Sequence, residues 1–258
     1  MKRTQLLAWA GAAALLLAGC AAPADEIPVT QPPAVTQAAS LPTQDPDAYR
    51  EQLSLIWEQR ELWRTPDEYD GWCYTVTDLD QNGLLELFRS EDHGTGHVLT
   101  TYAWEVRDSQ LCSIAAPDEQ LERPNFCSAF PAEEGPEPVT AFYDAETDTR
   151  YYIQYHTSRT DAATYLETQS AVSLKDGVLS SQVLATKESL YSDQGVTVIC
   201  QNTAGASLSE EEYQNAAAAH FAALQPQTVQ TQWLTCVPAQ ELTFQQLEAC
   251  LAAFSIAS

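Results

Sequence analysis

Basic residues are scarce in this chain: 12 Lys and Arg stand against 36 Asp and Glu, a formal charge of −24 over 258 residues. A surface this negative repels phosphate backbones and anionic headgroups, which excludes a nucleic-acid partner and favours cations as ligands. No C-x-x-C pair occurs, so a zinc knuckle or a thioredoxin-like redox site finds no support. G-x-S-x-G, the phosphate-binding loop and the dinucleotide fingerprint are missing as well, which removes the commonest enzyme signatures. Alternating βα units are not seen either, and that weakens a two-domain solute-receptor reading.

What is present begins at the N-terminus. Lys2 and Arg3 precede an uncharged apolar stretch, residues 6–17, and Leu17-Ala18-Gly19-Cys20 closes it. A basic start, an apolar segment too short to span a bilayer and small residues after it make a secretory signal. The bland alternatives are a plain signal peptide with a chance cysteine, or an uncleaved anchor. The four-residue run resembles the lipobox of bacterial lipoproteins. That resemblance implies that Cys20 receives a diacylglycerol and becomes the first mature residue, with 1–19 as signal peptide. The expected location is then the extracytoplasmic face of the cell membrane, reached through the N-terminal lipid.

Six cysteines remain: Cys73, Cys112, Cys127, Cys200, Cys236 and Cys250. Outside the cytoplasm an even count suggests disulfides, although sequence does not choose among the pairings. Cys236 with Cys250 is the pair to test first, because a short loop ending in a helix could bring them together. Buried free thiols are the plain alternative.

Residues 20–44 are rich in proline, alanine, threonine and glutamine without apolar period, and read as a disordered spacer. Residues 45–258 are expected to form a single extracytoplasmic domain. Asp45-Pro46 starts a helix over 46–64 whose Tyr49, Leu53, Ile56 and Trp63 share one face. From Gly71 to Gln201 the texture is β, with strands predicted at 72–77, 84–89, 97–106, 110–115, 139–143, 150–157, 168–174, 178–186 and 195–200. The spacing is too tight for crossover helices, so the sheet should be largely antiparallel. Residues 116–138 form an irregular, proline-rich insertion. Capping boxes at Ser209/Glu212 and Thr243/Gln246 open two late helices, with a strand near 229–236 between them. The expected class is α+β: a largely antiparallel sheet, one N-terminal helix and two C-terminal helices.

One segment carries chemistry. Asp78-Leu79-Asp80-Gln81-Asn82-Gly83-Leu84-Leu85-Glu86 sets oxygen-bearing side chains at positions 1, 3, 5 and 9, with glycine at 6 where the backbone turns and the Leu84 carbonyl at 7. Ca²⁺ takes six to eight oxygens, and alternate residues of a tight loop can aim them at one point. The first half resembles an EF-hand loop, but Arg89 occupies position 12 and the flanks read as strands. The match is better to the short D-x-D-x-[DN]-G-x-x-[DE] loop of integrin-type extracellular repeats, in which the ninth residue closes the site. A polar Asn82-Gly83 hairpin is the alternative.

Two further clusters are weighed as decoys, beside two lone histidines. Asp144, Glu146 and Asp148 repeat the spacing without glycine or closing acid, and read as a hairpin turn. His93 and His97, across two glycines, read as a loop and not a zinc pair. His220 is expected in the core, and His156 lies in a strand without a catalytic neighbour.

Residues 74–87, YTVTDLDQNGLLEL, resemble a segment of secreted and lipid-anchored proteins from Gram-positive gut bacteria. The resemblance implies location and a calcium-like loop, and no enzymatic activity. The expected function is accordingly a lipid-anchored, non-catalytic binding or interaction module with a structural Ca²⁺ loop at Asp78, Asp80, Asn82, Leu84 and Glu86. The alternative is a cell-wall or glycan hydrolase using paired carboxylates, which needs two facing acids some 5–10 Å apart in a cleft.

Overall fold

The computed structural model describes residues 46–64, 72–93, 98–115, 138–234 and 241–257, all within one compact unit, Gln44–Ser258. Cys20, the spacer 20–44, His97, Cys127, Cys236 and all but the last residue of the insertion lie outside the described residues. No described helix is long and apolar enough to cross a membrane.

Helix α1 (Pro46–Glu58) leads into β1 (Trp72–Thr77), β2 (Glu86–His93), β3 (Val98–Arg107) and β4 (Gln110–Ser113). These four strands form one antiparallel sheet in chain order. Next come β5 (Val139–Asp144), β6 (Thr149–Arg159), β7 (Thr164–Lys175), β8 (Val178–Ser192), β9 (Gly195–Asn202) and β10 (Ser207–Leu208). The chain closes with α2 (Glu210–Gln214), α3 (Ala216–His220), β11 (Gln225–Gln230), α4 (Phe244–Ala253) and β12 (Ser255–Ala257). The second sheet is antiparallel in the order β10-β9-β8-β7-β6-β5-β11-β12. The class is therefore α+β, as the tight strand spacing implies.

Side-chain alternation sorts the core into layers. Tyr74, Val76, Leu85 and Leu87 turn one face of the first sheet onto Leu53, Ile56 and Trp63 of the α1 segment and onto Leu247 of α4. Phe88 and Ala103 turn the other face onto Ala141, Tyr152 and Val172 of the second sheet. The far face of that sheet carries Phe142, Ile153 and Leu184, covered by Ala217 and Phe221. The result is helix, sheet, sheet, helix, and each sheet is covered on both faces over the region where the layers overlap.

Four expectations need correction. Helix α1 stops at Glu58, and Arg60–Leu62 is a 3₁₀ turn. The Trp63 indole donates to the Ile56 carbonyl (3.0 Å) and Arg60 to the Trp57 carbonyl (3.1 Å), so side chains take the carbonyls a longer helix would use. The helix after Ser209 is split at Asn215, whose amide donates to the Glu211 carbonyl (2.9 Å) and competes locally with the helical ladder. The strand expected near 229–236 runs from Gln225 to Gln230, pairing β5 on one side and β12 on the other. His220 is exposed and rests edge-on against Phe221, since the buried stripe passes through Tyr213, Ala217 and Phe221 instead.

Cys112, Cys200 and Cys250 are free thiols, and Cys250 is buried, which pushes its thiol up to about 12. Cys73 is buried on β1.

Candidate metal centre

The loop from Asp78 to Leu85 joins β1 to β2, and the Thr77–Glu86 register pair closes its base. Two residues inside it adopt left-handed backbone, Gln81 (φ 62°) and Gly83 (φ 86°). Glycine accepts that region without a Cβ clash, so the reversal falls where Gly83 stands. The Asp80 carboxylate accepts from the Asn82 N–H (3.2 Å), and Asn82 Oδ1 accepts from the Leu84 N–H (2.7 Å). These successive side-chain turns coil the loop and bring distant positions together.

One carboxylate oxygen from each of Asp78, Asp80 and Glu86 lies within 4.8 Å of the others. Ligands at ~2.4 Å from a common calcium can stand no more than ~4.8 Å apart. The spread is therefore narrow enough for all three carboxylates to reach one cation of that size. Asp78 is 1% exposed and Glu86 is fully buried. Glu86 Oε2 accepts from the Leu79 N–H (2.7 Å) and the Thr77 hydroxyl (3.1 Å). Its other oxygen, Oε1, is buried with no hydrogen-bond partner, a costly arrangement for a carboxyl.

Each charge makes the next harder to keep. Burial holds the Glu86 carboxyl well above its usual range, with Asp80, Asp78 and Glu105 adding repulsion against the lowering effect of the Leu79 N–H. Burial likewise raises Asp80 from 3.8 to about 6; the Asn82 N–H opposes this, and nearby Asp78 and Glu105 reinforce it.

Glu105 is the acid that the sequence pattern does not reveal. It sits on β3 directly across from Glu86 and is 1% exposed. Like charges facing across strands are unfavourable; here Arg107 forms an ion pair with Glu105, and Asn82 Nδ2 donates to it at 3.3 Å. The pairing becomes visible only once the β2–β3 register is known.

Other elements clamp the loop. Gln52 of α1 donates to the Gly83 carbonyl (2.8 Å) and accepts from the Leu85 N–H (2.7 Å). The Tyr49 hydroxyl donates to Asp78 Oδ2, which also accepts from the Gly83 N–H (3.2 Å). From the second sheet, Arg150 donates to the Asp80 carbonyl (3.1 Å) and the Tyr152 hydroxyl to the Leu79 carbonyl. The loop is thus a junction between α1 and both sheets, built into the core instead of hanging from a hairpin tip.

Of the five residues in the sequence pattern, Asp78, Asp80 and Glu86 converge. Asn82 lies exposed at the rim, its amide nitrogen on Asp80 Oδ2 (3.0 Å) and Glu105 while its oxygen holds the Leu84 N–H. Arg89, at the EF-hand closing position, points to the opposite face, donating to the Trp63 carbonyl (2.7 Å) and stacking 4.4 Å from the Tyr102 ring. It does not reach the loop, whereas Glu86, the ninth residue, converges with Asp78 and Asp80.

The decoy at Asp144 is a hairpin turn between β5 and β6. Its carboxylate accepts from the Glu146 and Thr147 N–H groups and the Thr147 hydroxyl, so its charge is spent within the turn. His156 lies on β6, and His93 ends β2.

No family model, curated protein or solved structure matches this chain. The functional reading therefore rests on geometry.

Proposed function

We propose that the protein is a lipid-anchored, extracytoplasmic, non-catalytic binding module, and that its Asp78–Glu86 loop is a structural Ca²⁺ site. The observation that carries the metal reading is the buried, unpartnered Glu86 Oε1 beside two more carboxylates. With all four ionised, Asp78, Asp80, Glu86 and Glu105 carry two negative charges more than nearby Arg107 and Arg150 offset, an excess that Glu86 relieves by holding a proton while no cation is bound. One divalent cation neutralises that excess and gives the buried Glu86 Oε1 a partner. Bound there, it would tie α1 and both sheets to one point.

Burial favours a structural role over a catalytic one. A hydrolase must expose its acid pair to substrate, whereas Asp78 and Glu86 are 1% and 0% exposed. A surface groove of about 550 Å³ is lined by Asp47, Arg50, Glu51, Ser54, Leu55 and Glu58. All six belong to α1, so among the described residues no acid from another element faces them across it.

The test is thermal melting of the purified protein in calcium and in chelator. Calcium at ~1 mM against a Kd of about 10⁻⁴ M stabilises by ~1.4 kcal/mol. Asp78→Ala and Asp80→Ala should abolish the calcium-dependent part, Asp144→Ala should retain it, and magnesium should substitute poorly. Identical melting in calcium and chelator removes the proposal.

A further inference from the structure

Among the described residues, the second sheet has an open edge. Strand β9 pairs with β8 along its length, but β10 covers it only at Cys200 and Gln201. Among the described residues no strand lies against Gly195–Ile199 on that side. The Tyr191 N–H donates away from β9, to the Ala163 carbonyl at 2.9 Å. Its cross-strand partner Val196 therefore belongs to a non-hydrogen-bonded pair, and alternation turns the N–H and C=O of Val196 and Val198 outward.

Natural edges are blunted by proline, charge, bulges or shortness. Val196-Thr197-Val198-Ile199 has none of these guards, and the register of β9 against β8 is unbroken. Its side chains are apolar on both faces: Val196 is 53% exposed and Ile199 40%, beside Tyr191 at 53% and Leu190 at 38%. Acids bracket this uncharged run. Asp193 stands exposed in the turn before it, and Glu210 and Glu211 are exposed after β10. Glu210 lies close enough to the strand's end to help raise the Cys200 thiol, after burial itself. Glu188 faces Ile199 from β8.

We infer that the β9 edge is a docking site for an extended partner segment that adds as a further strand, apolar at its centre and cationic at its ends. Backbone bonds to Val196 and Val198 supply the affinity, as in other strand additions. The acidic brackets select the flanks. A second copy of this chain is disfavoured as occupant, because it brings the same acids and a charge of −24 to the contact. The inference is independent of the calcium reading, since β9 makes no contact with the Asp78–Glu86 loop in the hydrogen-bond network described above.

The probe is a labelled Val-Thr-Val-Thr-Val peptide with two lysines at each end, alongside a twin with glutamates in their place, titrated against the intact protein. The lysine peptide should bind and the glutamate twin should fail. Val198→Pro, which removes an outward N–H, and Thr197→Lys, which places a like charge on the edge, should each weaken binding about tenfold or more. Thr197→Lys keeps the test valid if proline perturbs the fold. Hydrogen exchange should be fast at Val196 and Val198 in the unbound protein and slow with the peptide. Equal binding of both peptides, no binding at millimolar peptide, or slow exchange at these amides without peptide would each overturn the inference. A dimer that Val198→Pro converts to monomer would overturn it in favour of self-pairing.

Discussion

Glu86→Gln should move stability in opposite directions with and without calcium. Each ionised pair among Asp78, Asp80 and Glu86, at up to 4.8 Å, repels by about 3.5 kcal/mol at an effective dielectric constant of about 20. The wild-type carboxyl escapes part of that repulsion by holding a proton. The gain from glutamine in chelator is therefore a fraction of it, about 1–2 kcal/mol. Glutamine keeps the shape: its oxygen can still accept from Leu79 N–H and the Thr77 hydroxyl, and its NH₂ replaces the unpartnered oxygen. With calcium the order reverses, because the variant has lost the closing ligand and the stabilisation it brings. Urea unfolding of both proteins in chelator and in ~1 mM calcium measures all four free energies. A variant less stable than wild type in chelator, with an undiminished calcium response, would refute the reasoning.

Three further outcomes are expected. Asp80 is raised in the folded state from 3.8 to about 6, so its contribution is fully present below pH ~4 and is lost as pH rises through about 6; stability in chelator should fall across that window by about 1–2 kcal/mol after allowance for solvent screening, and calcium should flatten the fall. An unchanged pH profile in calcium and chelator would count against it. Cys250, buried and held near 12, should resist iodoacetamide at pH 8 in the native protein and react once urea unfolds it; fast native labelling contradicts the packing described. Cys20→Ala should release the protein into the medium or leave an unprocessed precursor, and wild type found in the aqueous phase of a detergent partition, with no added mass on its N-terminal peptide, refutes the anchor.

Much of the architecture is legible in local pattern. Alternation and turn residues place eight of the β1–β9 strands to within a few residues, because turns such as Asp176-Gly177 interrupt the alternation sharply. The ends depend on tertiary contacts: β8 runs to Ser192 because β7 pairs with it as far as Leu190 and β9 from Ala185 to Ser192. Helix α1 ends early because a tryptophan seven residues away reaches back to Ile56. Pro226 shifts the expected strand toward 229–236, since a proline inside a strand paired on both sides removes a ladder N–H. In the centre, Asp78, Asp80 and Glu86 are legible because a contiguous loop carries their spacing. Glu105, Tyr49, Gln52 and Arg150 come from distant elements, and nothing local ties them to it. Register alone sets Glu105 opposite Glu86.

The central claim is that one divalent cation completes the buried acidic centre. Equilibrium dialysis of the purified protein against calcium tests it most directly. The account predicts one ion per chain, with a dissociation constant of about 10⁻⁴–10⁻³ M, the range of weak calcium-binding modules, and no binding by Asp78→Ala. Binding that Asp78→Ala leaves intact, or no saturable binding at ~10 mM calcium, well above that range, would contradict it.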